Sequence, residues 1–457
     1  MSDFSFSTDE LRQLADDVLQ HAKRCGADAC ETDVSESHGQ SAAVRKQEVD
    51  TIEFNRDKGI GVTVYLGKRR GHASTSDFSP SAIRATVEAA LSIAGFTAED
   101  DCAGLPEKEL LAQTPLDLDL YHPWSPTMET AIDIARRCEA AAFAVNPLIS
   151  NSEGAALSTH AAQFIAANSL GFMGGCALSR HSIYCTPIAV RGDDMQRDDW
   201  YSGHRCADDL AAPEAIGEYA AQRALARLGA RKLPTRQCRV LLEAPLAAML
   251  LGSFVHAASG GSLYRKASFL VDALGQRIFP RWLNIVERPH LKRALASSYC
   301  DDDGVATRDR DVVSKGVLQG YFLSVYTARK LGMQTTANAG GSHNLQVSPG
   351  PGAPADFAAM LKRLDTGLLV TELLGQGVNY VTGDYSRGAA GFWVEGGEIA
   401  FPVHEITIAG NLRDMFRGIE AVGADTVTRG SRSIGSVLID RMTVAGAAAP
   451  RKRRKLR

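Results

Sequence analysis

The chain has 457 residues, 45% apolar and 23% charged, the balance of an ordinary globular protein with about two domains. Its net charge is −3, and the final seven residues, RKRRKLR, hold six Lys or Arg and no acid, which leaves −9 for the rest. A mildly acidic body argues against nucleic-acid or anionic-membrane binding by the folded part, and nine scattered cysteines without a C-x-x-C read as reduced thiols, so a cytoplasmic protein is expected.

The first segment opens on a helix. Ser7 and Glu10 fit a capping box, apolar residues recur through LRQLADDVLQHAKRCG, and Gly26 supplies the stop. Strand-like pieces follow in DACETDVSES and SAAVRKQEVDTIEF, then in GIGVTVYLG and KRRGHASTS, the last two joined as a hairpin at Leu66-Gly67-Lys68. Ser79-Pro80 starts a helix running to Gly95, and Ser125-Pro126 starts another through TMETAIDIARRCEAAAFAV. A strand pair, THAAQFIAAN and GCALSRHSIYCTPIAVRG, turns through Asn168-Ser169-Leu170-Gly171, and APEAIGEYAAQRALARLG is a helix closed by Gly229. Blocks of strands and helices, as opposed to alternating single βα units, predict an α+β fold whose N-terminal domain is an antiparallel sheet with helices on one face.

The basic, Pro-bearing stretch 230–238 is the expected boundary. It separates an N-terminal domain, 1–230, from a strand- and glycine-rich mixed domain, 238–445, with a disordered basic tail at 446–457. From Ala244 to Tyr264 no residue carries a fixed charge, but Pro245, His256, three Gly and three Ser make this an interior helix and not a membrane span.

A hydrolytic zinc needs about three protein ligands and a carboxylate base beside its water. His256 is followed by Ala257, where such a base would stand, and reads as a histidine in the core or lining a cavity. His404-Glu405 lacks a second His at either helical spacing, and its alternating surroundings read as a strand that sends the two to opposite faces. His343 and Asn344 follow a glycine pair and read as a structural turn in preference to a binding loop, whereas Asp384, Tyr385, Ser386 and Arg387 lie between glycines and could hydrogen-bond an extended peptide. Ser386 lacks the nucleophile-elbow spacing, so an autonomous hydrolase using Ser386 with His343 is disfavoured. The aspartates of YCDDDGVATRDRDVV lack the closing Glu of a calcium loop and read as a solvated turn.

Four long segments, GGSLYRKASFLVDALGQRIFP, SVYTARKLGMQTTANAGGSHN, TELLGQGVNYVTGDYSRGAAGFWVEGGEIAFPVHEITIAGNL and GSVLIDRMTVAG, resemble the PmbA (TldE) branch of the TldD/PmbA peptidase family, also called modulators of DNA gyrase. GVTVYLGKRRGHASTSDFS echoes the likeness in the first domain. The resemblance implies a difference between branches. The TldD branch carries His-Glu-x-x-x-His and a later cysteine around its zinc; here those positions fall on His256, Ala257, Gly261 and about Ile434. It therefore implies a chain with no metal of its own that pairs with a zinc-bearing TldD-type subunit. Together they would be a metalloprotease for small unfolded peptides, including peptide-antibiotic precursors and an antitoxin. A homodimer on the same interface is the form open to the chain alone. Peptide-binding or chamber-lining positions would be His256, Gly260, Ser262, Arg265, His343, Asn344, Asp384, Tyr385, Ser386 and Arg387, and glycine-rich stretches around Gly340, Gly383 and Gly388 would form the interface or the chamber wall. The alternative is a binding regulator of gyrase or of a toxin–antitoxin pair that acts without proteolysis.

Overall fold

The computed structural model describes residues 4–446, so the expected basic tail lies, apart from Gly446, outside the described residues. The chain folds as two compact units. The first holds the residues up to Leu225 with Pro289–Asp309 and Phe322–His343; the second holds Ala226–Arg288, Arg310–Tyr321 and the residues from Asn344 onward. Two segments C-terminal to the expected 230–238 break thus group by contact with the first unit.

The first unit is built on one antiparallel sheet. Its strands are β1 (Ala29–Arg45), β2 (Glu48–Leu66), β3 (Arg69–Thr75), β4 (Ile149–Asn168), β5 (Met173–Arg191), β6 (Asp194–Arg197) and β7 (Trp200–His204). They lie in the order β3-β2-β1-β4-β5-β6, with β7 also on β5. The helices are α1 (Thr8–Arg24), α2 (Pro80–Phe96), α3 (Met128–Val145) and α4 (Pro213–Ala226). Alternation decides the buried face: Val34, Ala42 and Val44 of β1 share it with Leu157, Ile165 and Ala167 of β4, since Val34 pairs with Ile165 and Ala42 with Leu157. Onto it α1 lays Leu11, Ala15, Val18 and Ala22, and α2 lays Ile83, Val87, Ala90 and Ala94. Each large apolar side chain so buried contributes about 1.5–3 kcal/mol.

Caps follow the sequence where the signal is local. Ser7 and Glu10 form the reciprocal capping box of α1, and the Ser79 hydroxyl accepts the Ala82 N–H at the start of α2. Two expectations are corrected. The third helix starts at Met128 with Thr127 as its cap, two residues later than Ser125-Pro126 suggests, because the Thr127 hydroxyl accepts the Thr130 N–H. The segment SAAVRKQEVDTIEF is not one strand; it contains the tip of a long β1–β2 ribbon, where Lys46 and Gln47 both take positive φ, 53° and 67°. Beyond that tip β2 is exposed from Glu48 to Lys58, including Ile52 and Phe54, and no strand flanks its outer edge among the described residues.

The second unit contains two mixed sheets. In chain order its strands are β8 (Arg236–Leu242), β9 (Ile285–Glu287), β10 (Arg310–Ser314), β11 (Val317–Leu318), β12 (Leu345–Val347), β13 (Gly367–Leu374) and β14 (Val378–Asn379). Then come β15 (Asp384–Glu395), β16 (Glu398–Asn411), β17 (Ile419–Val422), β18 (Val427–Arg429), β19 (Arg432–Ile434) and β20 (Val437–Ala445). One sheet runs β13-β8-β20-β16-β15-β14 with β17 on β20, the other β11-β10-β9-β12-β19-β18. The pairs β13–β8 and β12–β19 are parallel and the remaining ladders antiparallel. The uncharged run 244–264 is two helices, α5 (Ala244–Ala257) and α6 (Gly260–Tyr264), and no helix among the described residues is long and apolar enough to cross a membrane.

Candidate functional site at the end of helix α5

Pro245 occupies the first turn of α5, and the helix is apolar nearly all round, so it is enclosed by its neighbours. Phe254 is fully buried and meets Phe279 and Phe416 edge-on, at 5.4 and 6.2 Å between ring centres. Two residues on, roughly 200° around the helix, His256 emerges on the opposite side and is exposed. Of the two readings of His256, in the core or lining a cavity, the first is thereby corrected: helical phase puts Phe254 inside and His256 out.

The His256 ring packs on Tyr380 with centres 4.0 Å apart and planes inclined by 38°. Tyr380 is held by its backbone, since its carbonyl accepts the Phe269 N–H at 2.7 Å, and Arg413 Nη2 donates to the Phe269 carbonyl at 2.9 Å. The helix ends directly beyond. The Ser259 hydroxyl donates to the His256 carbonyl at 2.8 Å, and α6 begins at the next residue, so His256 and Gly261 stand on consecutive helices and not on one.

The other positions implied by the resemblance carry no donor. Ala257 is a fully buried methyl. A Cβ on Gly261 would lie 3.2 Å from Arg265 Nη2, and that guanidinium caps the Tyr264 ring at 5.2 Å. Ile434 is buried and lines a small apolar cavity of about 20 Å³ with Leu250, Phe254 and Phe416. One turn before His256, a Cβ on Gly252 would stand 3.1 Å from the Arg432 guanidinium, whose charge is opposed by burial and whose Nε is buried without a hydrogen-bond partner. The four positions thus offer one imidazole, with guanidinium groups against Gly252 and Gly261, an arrangement that does not fit a dication.

Strand geometry divides the cluster at 384–387. Asp384 and Ser386 face outward, whereas Tyr385 and Arg387 are buried. The Thr382 hydroxyl and the Asn411 amide donate to Asp384 at 2.7 and 3.2 Å, and these bonds hold its carboxyl below the ordinary range. Burial pushes the Tyr385 phenol up. Gly383 takes φ 87°, and its carbonyl receives the Leu412 N–H at 2.7 Å, which fixes the approach to β15. Gly260 and Ser262 are buried, and the Ser262 Oγ lies 3.1 Å from the Ser259 Oγ.

His343 belongs to the first unit and Asn344 to the second. His343 Nε2 lies 3.0 Å from the Ala337 carbonyl, and Asn344 Nδ2 donates to the Arg288 carbonyl at 2.9 Å; each serves its own unit's backbone. Glu405, at φ 49°, sits where the β15–β16 register slips, so the clean alternation expected around His404 is broken.

Asp301 corrects a further expectation, for it is buried in the first unit and not solvated. It accepts the N–H groups of Asp303, Val305 and Ala339 at 3.1, 2.9 and 3.0 Å, while burial and the Asp303 charge push its carboxyl up to about 7. A cavity of about 630 Å³ in this unit, lined by Glu107, Arg308, Arg329 and Thr335 among others, contains none of the predicted site residues. Sequence reasoning also missed Tyr380 and Arg432. An aromatic between Gly377 and Gly383 was a signal for the first; the second had none.

Family models cover most of the chain: the PmbA/TldA metallopeptidase domain 1 over 30–94, its central domain over 121–228 and its C-terminal domain over 235–446. The chain is 47% identical to the metalloprotease PmbA of Escherichia coli O157:H7, over 92% of this chain and 93% of that one. It is 44% identical to a metalloprotease PmbA homologue of Haemophilus influenzae, over 96% of each. A Bacteroides thetaiotaomicron structure described as a modulator of DNA gyrase superposes with TM-score 0.90 at 25% identity, covering 96% of this chain and all of that one. TldE of Thermococcus kodakarensis shares the fold, with TM-score 0.80 at 19% identity over 95% of this chain and all of that one.

Proposed function

Because the chain belongs to the PmbA/TldD metallopeptidase family, we propose that it is the subunit without the catalytic metal centre in a two-chain zinc peptidase acting on short unfolded peptides in the cytoplasm. The observation that carries this reading is the donor set at the end of α5: one exposed imidazole, a buried methyl, a glycine beside a guanidinium, and an isoleucine inside an apolar core. Hydrolytic zinc requires several protein ligands and a nearby base, so the ion belongs to a TldD-type partner. This chain contributes surface. The stacked His256–Tyr380 pair offers an aromatic face, and the outward Asp384 and Ser386 offer polar groups beside it in sequence, a combination suited to an extended peptide whose backbone must be hydrogen-bonded.

The test is a peptidase assay on this chain, on a TldD-type partner and on the mixture. Cleavage is expected from the mixture and not from this chain alone. His256→Ala in the mixture should raise KM roughly three- to tenfold and leave kcat within about twofold, as for a lost contact that binds substrate and transition state equally. Cleavage by the isolated chain at the rate of the mixture, abolished by His256→Ala, overturns the reading.

A further inference from the structure

The first unit carries a cluster that the proposed activity does not use. His21 and Cys25 are four residues apart at the end of α1, a spacing that stacks both side chains on one helix face. Glu88 reaches them from α2, which is fixed beside α1 by the shared core of Val18, Ala22, Val87 and Ala94. His21 Nε2 lies 3.5 Å from Cys25 Sγ and 3.6 Å from Glu88 Oε1, and all three ligand atoms fall within 4.8 Å of one another. Among the described residues this is the one group of three or more His, Cys, Asp or Glu so disposed.

These separations bear on what the cluster can hold. With metal–nitrogen and metal–oxygen bonds of about 2.0–2.1 Å and a metal–sulfur bond of about 2.3 Å, a tetrahedral centre sets its ligands about 3.4–3.6 Å apart along each edge. The His21–Cys25 edge of 3.5 Å matches, the His21–Glu88 edge of 3.6 Å is slightly long for a nitrogen–oxygen pair, and the Cys25–Glu88 edge lies within 4.8 Å, so small side-chain adjustments close the shell. We propose that His21, Cys25 and Glu88 form a binding site for a borderline-soft divalent cation of the zinc class, clamping the end of α1 to α2. Imidazole, thiolate and carboxylate together select zinc, cobalt or nickel over magnesium or calcium, which prefer all-oxygen shells. On binding, the thiol proton passes to solvent, and a water completes the fourth position. His21 is largely shielded while Cys25 and Glu88 are exposed, so an ion can enter from solvent without unfolding either helix.

Titrating the reduced full-length protein with Co²⁺ tests this, because cobalt bound to thiolate absorbs strongly in the near ultraviolet. One equivalent is expected to bind with that absorption, and Zn²⁺ should displace it. Cys25→Ser should abolish the band. His21→Ala and Glu88→Gln should each weaken binding at least about tenfold, the loss that even outer-sphere partners commonly cause. Zn²⁺ should raise the melting temperature of the wild type and not of Cys25→Ser, since a ligand of the native state stabilises it. Circular dichroism establishes that the variants fold, as changes at a helix end should allow. No charge-transfer band in the wild type, or a band undiminished in Cys25→Ser, overturns the proposal. Peptidase activity is not a readout here, so this result is independent of the reading above.

Discussion

Glu139 is fully buried on α3, and its two carboxylate oxygens accept the Lys46 and Gln47 N–H groups at 2.9 and 2.7 Å. Those N–H groups sit at the tip of the β1–β2 ribbon, in a left-handed turn that lacks the Asn-Gly usual for such a conformation. The carboxylate stands in for the missing turn chemistry from more than ninety residues away. Glu139→Ala should therefore lower the unfolding free energy by about 2–3 kcal/mol, because it strands backbone donors that were bonded to a charge; urea denaturation reads the loss. Glu139→Gln, which keeps an acceptor for one of them, should lose less. This turn was illegible in the sequence for a physical reason: its stabilising partner is tertiary. That Ala257, Gly261 and Ile434 carry no ligand atom can be read from the sequence in any fold. What the residue names did not carry was His256's exposure, its packing on Tyr380, or the guanidinium groups of Arg265 and Arg432 against Gly261 and Gly252.

Close helix packing is set by glycine at particular contacts between elements. A Cβ on Gly217 of α4 would lie 1.9 Å from the Cys138 carbonyl of α3, and one on Gly71 of β3 would lie 2.0 Å from the Ala90 carbonyl of α2. Both neighbours are backbone, which cannot rotate away. Gly217→Ala should destabilise the protein by roughly 1–3 kcal/mol through overpacking. Gly95 is the control: it is an exposed helical glycine with nothing within 4 Å of a Cβ, so Gly95→Ala should be neutral or should stabilise by up to about 1 kcal/mol. Thermal or urea unfolding of the two variants separates contact from propensity. Helices α1 and α2 were readable because their caps are local, Ser7 with Glu10 and Ser79 with Pro80. The α5–α6 break was not, since an uncharged run with high burial gives no periodic signal to interrupt.

Over the whole molecule, the α+β class with an antiparallel first sheet followed from the blocks of strands and helices, whereas the return of Pro289–Asp309 and Phe322–His343 to the first unit depends on partners far away in sequence. That return brings acids together. Asp301, Asp303, Glu31 and Asp33 all have carboxyls pushed above the ordinary range, chiefly by desolvation. A raised folded-state pKa means that the folded protein binds the proton more tightly than the unfolded chain. Stability from Asp301 is then fully present below the ordinary aspartate range near 3.8 and is lost as pH rises through about 7. Urea midpoints should fall between pH 5 and pH 8, and Asp301→Asn should flatten that slope. The outer rim of β2 has a separate consequence. Val49, Ile52 and Phe54 are exposed along it, interleaved with Glu48, Asp50, Glu53, Arg56, Asp57 and Lys58. An extended rim of this kind can template the stacking of like molecules, and its charges are what deter it. Replacing Asp50 and Glu53 with valine should leave circular dichroism unchanged yet make concentrated solutions scatter light within hours, so this exposed rim is also where solubility is decided.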